Sequence, residues 1–320
     1  IVLMIERLHQ IGLQTDVNAI YDTPILHTIA SGLSFLEPLV SKHLVALRSK
    51  GSRRPLFLMH EPSGEVLNYE QLSWHLDSDL PVYGLQAAPS DAAGPITNEL
   101  LAERYVRVIR NVQPHGPYRL AGWSAGGLIA YEMARQLLSE NESVEFLGLI
   151  DSPPGAADSL AEMPDEEQLM WMMLWNSLRH LRPDIDESEV SGLKSLGSVA
   201  AAVDHCHQVG WLTPSFTTED LSWRAARAWQ LSRASVMYRP QPLPVPLHLF
   251  RADIPESEDP SYGWDAVAVA DLRIELIEGT HYSIMEEPHV RKLAASIECA
   301  LAQTEQNVSL DQSLLAQGVE

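Results

Sequence analysis

From residue 55 onward, short apolar runs alternate with stretches whose apolar residues recur three and four positions apart. Leu56-Phe57-Leu58-Met59 and Val82-Tyr83-Gly84-Leu85 have the length and density of buried strands and are too short for helices. Leu101, Tyr105, Val108 and Val112 then mark one face of a helix that starts near Asn98. Tyr118 to Ala121 predicts the next strand, and Leu128, Ile129, Met133, Leu137 and Leu138 predict the helix after it. Phe146 to Ile150, Leu247 to Phe250 and Leu272 to Leu276 complete the strands, the last alternating apolar and charged residues as a half-exposed strand does. A final helix is expected from about Pro288 to Ala302. Strands separated by helices predict an α/β fold built on a parallel sheet.

Two regions break this rhythm. From about residue 160 to 240 the pattern is helical without a strand, and it is rich in Met and Trp: Met170, Trp171, Met172, Met173, Trp175, Trp211, Trp223 and Trp229. A helical insertion between two sheet strands predicts a lid, with most of these side chains packing the lid's own core. Pro240, Pro242, Pro244 and Pro246 then return the chain to the sheet as a stiff extended segment.

The front is different again. Ile1, Leu3, Met4, Leu8 and Ile11 mark a helix that Gly12 closes, a short helix spans Asp16 to Tyr21, and Thr23-Pro24 opens a third through Ile25, Leu26, Ile29 and Leu33. Residues 1–40 are too few for a core of their own and must lean on other residues. The first residues lack a Met, a basic region and a cleavage site, so they read as the middle of a helix cut from a longer protein and not as a signal peptide. Residues 41–54 hold Lys42, Arg48, Lys50, Arg53 and Arg54 with no acidic residue, and predict a linker that is either a solvated tether or docked on its acidic neighbour. The main domain is expected over residues 55–303, with a flexible polar tail over 304–320.

A formal net charge of −21 argues against nucleic acid and anionic membranes as partners. No apolar run approaches the ~20 residues needed to cross a bilayer. Two cysteines, Cys206 and Cys299, make no disulfide framework and no metal-ligand spacing; both are expected as buried, reduced thiols, which places the chain in the cytoplasm.

The chemistry concentrates at Gly122-Trp123-Ser124-Ala125-Gly126-Gly127, between a predicted strand and a predicted helix. That context makes G-x-S-x-G a nucleophile elbow, in which Ser124 sits on a strained turn and the Ala125 N–H is an oxyanion donor. A serine needs an imidazole to take its proton and a carboxylate to orient the imidazole. In the α/β-hydrolase arrangement these follow in the order Ser, Asp, His, and Ser124, Asp151 and His281 obey it, each after a predicted strand. Of the 12 histidines only His281 lies in a Gly-x-His loop after the last strand; His60 is expected to support the loop beside it. Asp253 is the rival carboxylate, but its surroundings read as a solvated acidic loop. The second oxyanion donor is expected from His60-Glu61-Pro62-Ser63-Gly64-Glu65; Pro62 has no N–H, so the choice falls on Ser63.

The elbow, Leu149-Ile150-Asp151-Ser152, the loop from His60 to Tyr69 and Gly279-Thr280-His281 resemble a type I thioesterase domain, the family that terminates nonribosomal peptide and polyketide synthetases. Ile5-Glu6-Arg7-Leu8, Thr15-Asp16-Val17 and Tyr21 to Leu26 with Ile29-Ala30 resemble the C-terminal part of a peptidyl carrier domain. The resemblance implies an α/β-hydrolase with a helical lid, preceded by a partial all-α carrier segment. It implies release of a carrier-bound acyl or peptidyl thioester through an acyl-Ser124 intermediate, by hydrolysis or macrocyclisation. It further implies 4′-phosphopantetheine on a carrier serine a few residues upstream of Ile1, upstream synthetase domains in cis, and no metal. The loop departs from the family's commoner His-Pro followed by small residues, which leaves the second donor open. A free-standing editing thioesterase or esterase, and a docking module that has kept the hydrolase fold, are the alternative readings.

Overall fold

The computed structural model describes residues 42–88, 96–155, 163–182, 185–254 and 257–317, together with the short strands Leu13–Gln14 and Ser34–Phe35. One sheet organises the molecule, with strands β1 (Leu44–Arg48), β2 (Leu56–Met59), β3 (Val82–Leu85), β4 (Tyr118–Trp123), β5 (Val144–Ile150), β6 (Leu247–Ala252) and β7 (Leu272–Ile277). Their order across the sheet is β1-β3-β2-β4-β5-β6-β7. Only β1 runs antiparallel to its neighbour; every other pair is parallel.

Helices cover both faces, which is why the central strands are apolar at successive positions rather than alternate ones. Phe57, Met59, Leu120 and Leu149 pack on one face with α2 (Asn98–Ile109) and α3 (Ala125–Ser139). Leu56, Leu58, Phe146 and Phe250 pack on the other with α1 (Glu70–His75) and α8 (His289–Gln317). This architecture is that expected of an α/β-hydrolase.

The lid region forms α4 (Glu166–Leu181), α5 (Glu187–Lys194), α6 (Val199–Gln208) and α7 (Thr218–Met237), with no strand among its described residues. Each begins on a side-chain cap: Asp165, Asp186 and Thr217 form capping boxes with Gln168, Glu189 and Asp220, and Ser198 accepts from the Ala201 N–H. Leu174, Leu178, Leu193, Val203, Cys206 and Leu221 make a core that belongs to the lid itself, with Met170, Trp171 and Trp211 packed against it. Cys206 is buried there, as expected, whereas Cys299 is exposed on α8, contrary to the expectation that it too would be buried.

Two boundaries differ from the sequence reading. The linker expected over residues 41–54 contains β1, whose Leu44, Val45 and Leu47 are buried in the sheet. Its three arginines are docked: the Arg48 guanidinium donates to the carbonyls of Ser73 in α1 and of Asp77 and Leu80 just beyond it, and Arg53 and Arg54 pair with Glu298 and Glu145 at 2.8 Å. The flexible tail expected over 304–320 is instead largely helix, since α8 continues to Gln317. No glycine or proline interrupts residues 303–317, and Glu305 ties the helix to Arg119 and Arg53. The carrier-like helices expected within residues 1–40 lie outside the described residues. The pieces that are described pair as an antiparallel ladder, Leu13 opposite Phe35 and Gln14 opposite Ser34, apolar facing apolar and polar facing polar.

Candidate active site

Strand β4 ends at Trp123 and α3 begins at Ala125, so Ser124 alone makes the turn, at φ +55° and ψ −130°. That backbone is costly for a residue with a Cβ and survives because its surroundings fix it. A Cβ on Gly122 would lie 2.1 Å from the Gly126 carbonyl carbon, and one on Gly126 would lie 2.2 Å from the Met59 carbonyl oxygen. Only glycine fits at either place, which accounts for the motif. The Ser124 N–H donates to the Ile150 carbonyl at 2.9 Å, tying the elbow to the end of β5, where Asp151 follows. The Ala125 N–H, at the N-terminus of α3, has no acceptor among the described residues.

Asp151 is 2% exposed, also with a left-handed backbone at φ +43°. Its Oδ2 lies 2.7 Å from Nδ1 of His281. Its Oδ1 accepts from the Ala252 N–H and from the Tyr262 hydroxyl, each at 2.8 Å. Burial pushes this carboxyl up, but the hydrogen bonds from His281, Ala252 and Tyr262 outweigh burial and hold it below its ordinary value. An ionised Asp151 keeps the imidazole proton on Nδ1 and leaves Nε2 as the basic nitrogen. The Trp123 indole N–H donates to the His281 carbonyl at 3.0 Å, and the Trp123 and His281 rings lie 5.2 Å apart. The structure thus joins Asp151 to His281 and sets His281 against the residue preceding Ser124. Among the described residues no hydrogen bond links the Ser124 hydroxyl to the His281 ring.

Asp253 does not reach His281. It accepts the Gly279 N–H at 2.8 Å and anchors the loop that carries His281. His60 is buried between Tyr105, whose hydroxyl is 2.7 Å from Nε2, and the Glu61 carbonyl, 2.8 Å from Nδ1. Burial lowers it to about 4, so it is a neutral support for the loop, as expected.

Ser63 is a correction. Its N–H donates to the Glu61 carboxylate at 2.7 Å and its hydroxyl bonds the same group, so the N–H is not free for an oxyanion. The N–H groups of His60, Gly64 and Glu65 are also taken, by Leu85, Glu61 and Ser63, and Pro62 has none. In this loop only the Glu61 N–H has no acceptor among the described residues. Glu61 is pushed up to about 7 by desolvation, against the pull of the Ser63 hydrogen bonds. Above the loop, Arg227 of α7 donates to the Ser63 carbonyl at 2.8 Å, and Arg224 pairs with Glu65 at 3.2 Å, so the lid is fastened to it.

The sequence reading missed three residues around the site. Tyr69 donates to the Met59 carbonyl and accepts the Trp123 N–H, bridging the ends of β2 and β4. Tyr262 and Arg227 reach the site from distant segments, and no local spacing announces them. No group of three or more His, Cys, Asp or Glu side chains among the described residues is placed to hold a metal ion. No helix among them is long and apolar enough to cross a membrane.

The family model for the thioesterase domain matches residues 54–301, well over half the chain. The chain belongs to the thioesterase domain family. This thioesterase domain is 36% identical over 173 residues to malpinin synthetase of Mortierella alpina, covering 52% of this chain and 2% of that protein. It is 27% identical over 272 residues to aspulvinone E synthetase melA of Aspergillus terreus, covering 81% and 29%. Among solved structures it resembles holo-AB3403, a four-domain nonribosomal peptide synthetase bound to AMP and glycine, with a TM-score of 0.67 and 25% identity over 80% of this chain and 20% of that one. It shares its fold with the NocB thioesterase domain solved as a covalent complex with a fluorophosphonate nocardicin G analogue, with a TM-score of 0.59 and 23% identity over 81% and 99%. The chain spans less than a third of the length of these curated relatives.

Proposed function

We propose that this thioesterase domain releases an acyl or peptidyl chain from a carrier thioester through an acyl-Ser124 intermediate, as the last step of a nonribosomal peptide or hybrid polyketide synthetase. The observation that carries the reading is the 2.7 Å contact of Asp151 with His281, beside a serine held at φ +55° between β4 and α3. Ser124 Oγ attacks the thioester carbonyl while Nε2 of His281 takes its proton, and the carbonyl oxygen gains negative charge in front of the Ala125 N–H. The C–S bond then breaks, and the thiolate leaves with the proton that His281 returns. Water, or a nucleophile on the acyl chain, attacks the ester with His281 again as base; the new acyl bond forms and Ser124 recovers its hydroxyl. Nucleophile-to-base hydrogen bonds in such sites tighten when substrate binds, so Ser124 and His281 Nε2 come into contact in the substrate complex.

The thiol is the 4′-phosphopantetheine arm of a carrier, a substrate-side group and not a resident of this domain. Relatives named as synthetases and the carrier-like pattern of residues 1–40 support a carrier and upstream domains in cis. The proposed steps call on no metal, and the setting that goes with a synthetase is a cytoplasmic assembly.

The test combines a serine-directed alkyl fluorophosphonate with turnover of a synthetic acyl-pantetheine thioester. One phosphonyl group on Ser124, and loss of both labelling and turnover in a folded Ser124→Ala variant, are expected. An adduct on Cys206 or Cys299, or undiminished turnover in Ser124→Ala, would overturn the assignment.

A further inference from the structure

Asp151 has more donors than its partnership with His281 requires. Oδ2 serves His281, while Oδ1 takes one N–H from β6, at Ala252, and one hydroxyl from Tyr262. Tyr262 sits at φ +55°, a conformation that a bulky residue avoids unless its surroundings impose it.

The turn that imposes it is heavily tied. The Tyr262 N–H donates to the Asp259 carbonyl at 3.1 Å, and Asp259 Oδ1 accepts from both the N–H and the hydroxyl of Ser261. Trp264, fully buried, packs on Tyr131 at 4.9 Å and donates its indole N–H to the Ser152 carbonyl at 2.6 Å. The turn is therefore pinned to the residue after Asp151 and, through Tyr262, to Asp151 itself. On its other side the Tyr262 ring lies under the Arg251 guanidinium, 4.6 Å from its centroid, and Arg251 is bonded to the Ser257 carbonyl.

We infer that Tyr262 is a positioning residue for the release reaction, its hydroxyl holding Asp151 Oδ1 so that Oδ2 stays aimed at His281. The inference rests on the acyl-Ser124 reading above. Packing alone would be served by a phenylalanine; the hydroxyl on a buried carboxylate is what needs a function. Desolvation pushes the Tyr262 phenol up to about 12, so it carries its proton and donates. The charged and titratable groups facing the pair are His281, Arg251 over the ring, and Asp259 and Asp265, both of which are occupied by Ser261. Asp253, on the loop beyond β6, is engaged with Gly279. Among these, Tyr262 is the side chain besides His281 that neutralises part of the Asp151 charge directly.

Tyr262→Phe removes one oxygen and keeps the ring under Arg251. The full chain and this variant are labelled with a simple alkyl fluorophosphonate from about pH 5 to 9, with the adduct mapped by mass. Labelling of Ser124 should slow by roughly 10-fold. The acid limb of the rate profile should also move to higher pH, because a less neutralised Asp151 holds the charged imidazole more strongly. In an Asp151→Asn background the same substitution should change neither quantity. A profile that superimposes on that of the unsubstituted protein, or equal slowing in both backgrounds, would overturn the inference in favour of packing. Label on a residue other than Ser124 in the unsubstituted protein would defeat the acyl-serine reading itself, and the inference with it.

Discussion

Strands β4 and β5 carry charge at both ends, and the two ends are built in opposite ways. At their opening ends the side chains of Arg119 and Glu145 are each 1% exposed and bonded to one another; Arg54 adds a second ion pair to Glu145, and Arg119 also holds Glu305 and the Arg54 carbonyl. Every charge there has its partners within the protein, as burial demands. At their closing ends Asp151 is equally buried and well bonded, but its neighbours are not. His281 Nε2 and the Ala125 N–H have no partner among the described residues, and Ser124 is held in a strained turn. A closed network stabilises a fold; an open one at a sheet's carboxyl edge has capacity left for a substrate.

The largest way to break this contrast is at the carboxylate. Asp151→Asn should lower kcat for a pantetheine thioester by up to about four orders of magnitude while leaving the fold intact. Steady-state kinetics alongside circular dichroism checks this, and a loss below tenfold would remove Asp151 from the reaction.

The opening end should respond in the other currency. Arg119→Met leaves Glu145 buried beside Arg54 alone and should cost about 3–5 kcal/mol of stability. Denaturant unfolding reports it, and the labelling rate per folded molecule should not change. Replacing Arg119 and Glu145 together by apolar residues should recover most of that loss.

A smaller effect tests the loop that carries His281. Asp253→Ala frees the Gly279 N–H and should slow turnover by roughly 3- to 10-fold, whereas Asp253→Asn keeps an acceptor and should restore most of the rate. Equal losses in both would show that the charge of Asp253, and not its hydrogen bond, matters.

The loop beside the elbow is tested by a pH dependence. The Glu61 carboxyl is raised from its ordinary 4.5 to about 7, so between those values the folded state binds more protons than the unfolded one, and this group's contribution to stability falls as pH rises. Glu61→Gln should flatten that part of the profile, measured as Tm against pH from about 5 to 8. An unchanged slope would assign the dependence to other groups.

How much was legible in the chain depends on whether the deciding contact was local. The runs Leu56 to Met59 and Val82 to Leu85 are strands with the expected limits, because a strand buried on both faces must be apolar throughout. The elbow was legible for the same kind of reason: glycines two residues either side of Ser124 state that backbone approaches there. Strand β1 was hidden because the five basic residues around it suggested solvent, while the partners of the three arginines, carbonyls in and beyond α1 and the carboxylates of Glu145 and Glu298, lie 25 residues or more away in sequence. The continuation of α8 was hidden likewise, since a polar helix reads as a tail until Arg119 and Arg53 are seen to grip Glu305.

Sequence by itself determined the strands and helices from residue 55 onward, the helical insertion, and the positions of Ser124, Asp151 and His281 after predicted strands, which follow from periodicity and from glycine spacing within a few residues; the family entered through the resemblance of its motifs. Tertiary structure alone decided that Asp151 and not Asp253 meets His281, that Glu61 takes the Ser63 N–H, and that Tyr262 takes the second oxygen of Asp151. Those are choices among groups of equal local chemistry. A carboxylate or an N–H looks the same in sequence whatever it faces, and only the packing of distant segments fixes which acceptor lies within about 3 Å of which donor.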